Sequence, residues 1–140
     1  MSISTSVATI YKADIIQGVM NVSTDVYMVA LYTSSASLDN TTTVYTSTNE
    51  CSGGNYPSGG IVMPNASEVT SGSVAILTFT NPTFINLTLP DVRGCMIYNL
   101  SKGSTTVAVF DFGLSIALYT SNFELIVPAP TATTGLIRFN

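Results

Sequence analysis

The stretch Val26-Tyr-Met-Val-Ala-Leu-Tyr32 (VYMVALY) decides the fold, because every one of its seven positions is apolar or aromatic. Its alternate positions are apolar on both faces, with Met28 and Ala30 on one and Val29 and Leu31 on the other. A strand of this composition is buried on both faces, whereas a strand beside solvent alternates apolar with polar residues. We therefore expect a central strand that is covered twice.

Downstream of this strand, β-branched and aromatic residues recur with a period of two, and turn residues separate the runs. A polar segment, 34–60, is predicted as a loop with at most a short strand near Val44 and Tyr45. Further strands are predicted at 61–63, 73–80, 84–89, 94–100, 106–112, 123–127 and 136–139, with breaks at Pro64, Asn81-Pro82, Pro90-Asp91, Lys102-Gly103, Gly113 and 128–130. The pattern predicts a mainly β fold, an antiparallel β-sandwich or jelly-roll-like domain, with residues 1–140 as a single domain.

Upstream of the central strand, the periodicity is helical. Residues 7–20 (VATIYKADIIQGVM) place Val7, Tyr11, Ile15 and Val19 at intervals of four. This spacing predicts one short N-terminal amphipathic helix over about 7–20, with strands from about residue 26 onward.

The charge content is low, since only 9% of the residues are charged and the net charge is -4. The four cations, Lys12, Arg93, Lys102 and Arg138, are scattered, so nucleic acid is not expected as a partner. No apolar run approaches the ~18 residues of a membrane span, and no membrane partner is expected. A surface rich in hydroxyl groups suits packing against other protein, although a Thr-rich β protein explains the composition equally well.

Catalytic and metal-binding patterns are absent from the sequence. The chain has no His, which removes the commonest general base and the Ser/His and Cys/His nucleophile pairs. Its eight Asp and Glu residues are scattered singly, and Cys51 and Cys95 have no zinc-site spacing. We predict no enzyme activity, no catalytic residues, no metal and no cofactor. Two free thiols are favoured over a disulfide, because the N-terminal residues lack a signal peptide pattern and a cytoplasmic location follows.

The segment 49–60 (NECSGGNYPSGG) contains four of the ten glycines of the chain. A phosphate-binding loop of the GxxxxGK[ST] type needs a Lys and a following helix, and neither is present. Glycines on both sides of Tyr56 and Pro57 instead predict positive φ angles that hold Tyr56 at the tip of the loop. Tyr56 and Pro57 are therefore interface candidates.

The segment 113–123 (GLSIALYTSNF) is apolar where a turn between two strands is expected to be polar. It either extends the strand pair into a longer hairpin or is covered by another subunit. Its interface candidates are Leu114, Ile116, Leu118 and Tyr119. Just before it, Asp111 is interpreted as accepting backbone hydrogen bonds in a turn at Gly113.

The order of landmarks DVYMVALYTSS, NECSGGNYPSGG, RGCMIYN and VAVFDFG resembles that of a family of small tailed-bacteriophage virion structural proteins. Members of that family carry a VALFTS-like strand, an E-S-G-x-G-Y-x-x-G-G loop, an AR-x-A-x-IY strand and a DFG at a strand end. The matching positions are Glu50, Ser52, Gly53, Tyr56, Gly59 and Gly60 in the loop, Arg93, Ile97 and Tyr98 in the later strand, and 111–113 in the DFG landmark that ends VAVFDFG. The chain departs from the family at Cys95, where an Ala-like residue is usual, and at the apolar stretch after 113.

The resemblance implies a non-enzymatic component of the virion. The leading hypothesis is a capsid decoration (cement) protein on the head surface, whose partners are the major capsid protein and further copies of itself, with a trimer as one arrangement. A tail, neck or baseplate component is the first alternative. A receptor- or sugar-binding β-sandwich, with Tyr56 and Tyr119 as stacking platforms, is the second.

Overall fold

The computed structural model describes residues 2–139, which form two antiparallel sheets. Along the chain the elements are β1 (Ser6–Val7), α1 (Thr9–Ile16), β2 (Tyr27–Tyr32), β3 (Ile61–Val62), β4 (Ser67–Ser71), β5 (Val74–Thr78), β6 (Thr83–Asn99), a 3-10 turn (Leu100–Lys102), β7 (Thr105–Glu124) and β8 (Ile137–Phe139). The strand orders are β1-β7-β6-β2-β3 and β4-β5-β8. The predicted mainly β fold with one short N-terminal helix is confirmed and is consistent with a sandwich, whereas the jelly-roll alternative is not confirmed.

The strand β2 occupies the inner position that its sequence predicts. It pairs with β6 along its whole length and with β3 on its other side. Val29 and Leu31 are fully buried in the main core on one face, while Ala30 and Tyr32 are buried in a second cluster on the other face. Burial on both faces is the reason why the alternation of polar and apolar residues is missing here.

The helix α1 is shorter than the predicted range 7–20. Its start is displaced because Ser6–Val7 pair with β7, and its end is fixed by Gly18, whose φ of +72° takes the chain out of the helix. Only Tyr11 is buried within the helix, and Val19 is 37% exposed. The four-residue spacing correctly indicated a helix but overestimated its length.

The strands β6 and β7 form one long hairpin, so the predicted breaks at Pro90-Asp91 and Gly113 are wrong. Pro90 lies where β6 advances three residues, from 89 to 92, while β7 advances two, from 118 to 116. Such a β-bulge tolerates a proline that has no N–H to donate. Gly113 lies in a second irregularity, opposite the step from Val92 to Gly94. Bulges let the two strands bend without ending.

The smaller sheet contains one strand that the sequence did not predict. The strand β4 is polar (SEVTS), because it is an edge strand paired only with β5. The predicted strands at 61–63, 73–80 and 136–139 correspond to β3, β5 and β8. The breaks at Pro64 and Asn81-Pro82 fall between strands, and Lys102-Gly103 ends the 3-10 turn that separates β6 from β7. Near Val44 the chain forms a single bridge, to Thr105.

The main core joins the two sheets. Leu77 of β5 and Ile137 of β8 are buried in the same cluster as Leu87, Leu89 and Leu118 of the hairpin. The smaller sheet therefore shares one core with the hairpin, and this core also contains Val29 and Leu31 of β2.

Candidate functional site

The glycine loop, residues 49–60, is organised by the carboxylate of Glu50. Its Oε1 accepts a hydrogen bond from the Tyr45 hydroxyl at 2.5 Å, and its Oε2 accepts from the Tyr56 hydroxyl at 2.6 Å and from the Gly59 backbone N–H at 2.8 Å. Hydrogen bonds to a charged acceptor are stronger than those between neutral groups. One side chain thus fixes both halves of the loop.

Tyr56 does not stand at an exposed tip, and the prediction that it contacts a partner is wrong. Its side chain is only 8% exposed, and its ring stacks on Phe84 with the centroids 5.8 Å apart. Its hydroxyl also accepts a hydrogen bond from the Leu31 N–H at 2.9 Å. Burial, followed by the hydrogen bond to Glu50, raises the pKa of Tyr56, so the hydroxyl stays protonated and donates. Tyr56 therefore completes the edge of β2 and is unavailable as a stacking platform for a sugar.

Two glycines of the loop are required by close packing against backbone. A Cβ at Gly54 would lie 1.8 Å from the Thr88 carbonyl oxygen, and one at Gly60 would lie 1.8 Å from that of Val29. Both glycines have positive φ, which L residues with a side chain rarely adopt. The loop is thus pressed onto β6 and β2, and of the two interface candidates in it only Pro57 is exposed.

Asp111 makes the predicted turn contact and one contact that was not predicted. The Gly113 N–H donates to its Oδ1 at 2.9 Å, as expected. Arg93 also forms a two-pronged ion pair with it, with Nε 2.6 Å from Oδ1 and Nη2 3.2 Å from Oδ2. The Arg93 guanidinium holds the pKa of Asp111 below its usual range, and the Gly113 N–H adds to this effect. The pair forms because the register places Gly94 opposite Asp111.

An ion pair between a buried carboxylate and a half-buried lysine fixes the start of β2. The Asp25 side chain is 2% exposed, and its Oδ1 lies 2.8 Å from Lys102 Nζ. Its Oδ2 accepts from Asn99 Nδ2 at 2.8 Å and from the Asn21 N–H at 2.9 Å. Burial raises the pKa of Asp25, but these hydrogen bonds outweigh burial and the pKa is lowered. The carboxylate is therefore held in its charged form.

Cys51 and Cys95 are two free, buried thiols, which confirms that prediction. Burial raises the pKa of each thiol to about 12. At neutral pH both are protonated and act as small core residues, so neither is a reactive nucleophile.

The apolar segment 113–123 continues β7, which confirms the first of its two predicted roles. Leu118 pairs with Leu89 and is 8% exposed, so it belongs to the core and was wrongly grouped with the interface candidates. Ile116 is half-buried and packs against the same core. Leu114 and Tyr119 are 60% and 74% exposed. These two side chains remain accessible to a partner.

The outer edge of β7, away from β6, is paired along only half of its length. The backbone of 43–45 bonds to 104–106, β1 pairs with 108–109, and the Thr5 hydroxyl accepts from the Asp111 N–H. Between residues 2 and 139, no strand pairs with this edge beyond Asp111. We call residues 112–123 the open edge. Its sequence, FGLSIALYTSNF, contains no charged residue.

An apolar cleft of about 530 Å³ lies beside the open edge. It is bounded by β6 and β7 on one side and by 125–128 and 135–136 on the other. Its charged lining residues are Asp111 and Glu124, with no cation, so the cleft does not suit an anionic ligand. The residues that line it are Met63, Cys95, Ile97, Phe110, Asp111, Phe112, Ile116, Phe123, Glu124, Leu125, Ile126, Val127, Pro128, Gly135 and Leu136.

Residues 2–139 contain no group of three or more His, Cys, Asp or Glu side chains arranged to hold a metal ion. Within the same range, none of the helical segments has the length and apolar character needed to cross a membrane. Comparisons of the chain with protein-family models, with curated proteins and with solved structures found no match. The open edge, with Leu114 and Tyr119, is the candidate functional site on the geometry of this chain alone.

Proposed function

We propose that this chain is a structural protein of a tailed-bacteriophage particle, namely a capsid decoration protein that binds between major capsid subunits and stabilises the head. The open edge of β7 carries the proposal. It offers unpaired backbone groups, two exposed apolar side chains and no charge, on a chain of which only 9% of the residues are charged. Such an edge suits contact with protein rather than with a small polar ligand.

A rigid scaffold behind this edge supports the same role. The Glu50 carboxylate fixes the glycine loop through three donors, and Arg93 with Asp111 joins β6 to β7. A surface that is already ordered loses little conformational entropy when it binds, so more of the contact energy is available for affinity. A protein that stabilises a shell benefits from such a preorganised surface.

The residues that carry the resemblance to phage structural proteins also support a non-catalytic role. Glu50, Tyr56 and Gly59 bond to one another, and Tyr98 donates to the Gly59 carbonyl at 2.6 Å. Each of these polar groups is used in holding the loop to the sheet. The polar groups of Glu50, Tyr56, Gly59 and Tyr98 are thus engaged in building the fold.

The test is binding to capsids that lack decoration. Purified protein is mixed with undecorated heads, the heads are sedimented, and the bound protein is quantified. We expect saturable binding and a higher melting temperature of the heads, because bound protein adds buried area between subunits. Heads that already carry their decoration protein are the control and should take up none.

Protein that stays in the supernatant would contradict a decoration role. Quantifying the chain in intact particles then addresses the tail, neck and baseplate alternative. A decoration protein is present in many copies over the shell, whereas a tail or neck part is present in few. A low copy number that survives removal of the heads would assign the chain to the tail.

A further inference from the structure

We propose that the apolar cleft binds a small apolar amine, with the hydrocarbon body of the molecule inside the cleft and its ammonium group at the Glu124 carboxylate. The volume of about 530 Å³ lies within the range of about 300–1,000 Å³ that is typical of small-molecule sites. Leu114 and Tyr119, the exposed side chains of the open edge, do not line the cleft. The proposal therefore concerns a second surface and stands whether or not the chain binds a capsid.

The lining of the cleft is apolar core that the fold covers only in part. Its buried members are Met63, Cys95 and Ile97, which are 3%, 3% and 2% exposed. The partly buried side chains around them belong to the same core and include Phe110, Phe112, Phe123, Leu125, Val127 and Leu136. An apolar molecule in the cleft would remove their remaining apolar surface from water, which favours binding.

The wall of the cleft opposite β7 is held in place by hydrogen bonds within the chain. Asn81 Oδ1 accepts from the Val127 N–H at 2.7 Å, and the Leu125 N–H donates to the Pro82 carbonyl at 3.0 Å. A site whose walls are already ordered loses little conformational entropy when a ligand enters. The cleft is therefore a preformed site rather than one that a ligand has to open.

Charge favours an amine over an acid as the occupant. The charged side chains that line the cleft, within residues 2–139, are Asp111 and Glu124. Asp111 is engaged by Arg93 and by the Gly113 N–H. Glu124 is exposed, and its carboxylate accepts from Asn81 Nδ2 at the long distance of 3.5 Å. Its charge is thus available to attract an ammonium group, and it would repel a carboxylate.

The test is titration calorimetry of the full chain at neutral pH with three probes of equal chain length: n-octylammonium, 1-octanol and octanoate. We expect n-octylammonium to bind most tightly and octanoate least, because the three share one hydrocarbon chain and differ in charge. The shorter n-hexylammonium lacks two methylenes and should bind about tenfold more weakly than n-octylammonium, because the chain is buried.

Two substitutions locate the ammonium group. Glu124→Gln should weaken the binding of n-octylammonium about twofold to fivefold at low salt, as expected for an exposed ion pair, and leave that of 1-octanol unchanged. The matched control is Glu68→Gln, which makes the same change of charge at an exposed acid in a smaller cleft of about 240 Å³ between α1 and β5. The control should bind all three probes like the wild type.

A third substitution reports on the cleft itself. The chain has no Trp, and Ile126 lines the cleft while its side chain is 70% exposed, so Ile126→Trp adds a single fluorescent group at the rim. Its emission should move to shorter wavelength as n-octylammonium fills the cleft.

Absence of n-octylammonium binding up to millimolar concentration would overturn the proposal, as would octanoate that binds equally well. Equal effects of Glu124→Gln and Glu68→Gln would place the ammonium group elsewhere on the chain. Unchanged emission of the Ile126→Trp variant at saturating n-octylammonium would place the hydrocarbon chain outside the cleft. Either of these two results would also overturn the proposal.

Discussion

Replacing Tyr56 with Phe removes one hydroxyl that joins the glycine loop to β2. The hydroxyl donates to Glu50 at 2.6 Å and accepts from the Leu31 N–H at 2.9 Å. The ring, and with it the stacking on Phe84, is retained in Tyr56→Phe. The substitution therefore isolates the hydrogen bonds from the packing.

The expected loss follows from the burial of the two partners. Leu31 is 0% exposed, so its N–H is left without a partner, at a cost of about 1–3 kcal/mol. Glu50 is half-buried and keeps Tyr45 and the Gly59 N–H, so the loss of one of its three donors adds about 1 kcal/mol. We expect the free energy of unfolding to fall by about 2–4 kcal/mol, or about 6–12 °C in Tm for a domain of this size.

Urea unfolding followed by circular dichroism measures this difference. Tyr119→Phe is the matched control, because Tyr119 is 74% exposed and its hydroxyl has no partner among residues 2–139. The control should change the free energy of unfolding by less than about 0.5 kcal/mol. Equal, small effects of the two substitutions would refute the assignment of Tyr56 as the hydroxyl that holds the loop. A cycle with Glu50→Gln should give a coupling energy of about 0.5–3 kcal/mol.

Three further predictions use matched changes. Gly60→Ala should lower the free energy of unfolding by more than about 4 kcal/mol, because the new Cβ would meet the backbone of β2. A Cβ at Gly53 would meet nothing within 4 Å, so Gly53→Ala should cost only the ~1–2 kcal/mol of a positive φ. Equal losses of the two variants in thermal unfolding would contradict this. Leu118→Asp should destabilise the isolated chain by about 4 kcal/mol or more, and Leu114→Asp by about 0.5 kcal/mol or less, since only Leu118 is buried; calorimetry separates the two. The pKa of Asp25 is lower in the folded than in the unfolded chain, so its contribution to the free energy of unfolding is complete above about pH 3.9 and is lost as the pH falls through the folded pKa. Asp25→Asn should therefore flatten the fall in the free energy of unfolding at acid pH. An unchanged slope at acid pH would argue against this assignment.

The extent to which the sequence predicted this fold differs between local and distant features. The period of two, the apolar run of β2 and the turn residues at Pro64 and Lys102-Gly103 all act within a few residues, and the structure confirms each of them. The predicted breaks at Pro90 and Gly113 were wrong because a bulge depends on what the partner strand does. Composition cannot show that β6 and β7 remain paired past both residues.

The candidate site was predicted only in part. The sequence identified the apolar segment 114–119 as unusual, but it could not separate the buried Leu118 from the exposed Leu114 and Tyr119, because the bulges of the hairpin decide which side each residue faces. The sequence predicted that the glycine loop is not a phosphate-binding motif, because it lacks a Lys and a following helix. Its Tyr56 was placed outside, because local glycine spacing does not reveal a hydrogen bond to Leu31, 25 residues away.

The sequence by itself determined that this protein is mainly β, that β2 is covered on both faces, and that a helix precedes it, because periodicity and side-chain hydrophobicity act along the chain. Only the tertiary structure decided that Glu50 fixes the glycine loop, that Arg93 meets Asp111, and that β7 is left open beyond Asp111. These features depend on strand register and on contacts between residues far apart in sequence. A free edge is defined by where its neighbours end, and no residue of the edge itself encodes that position.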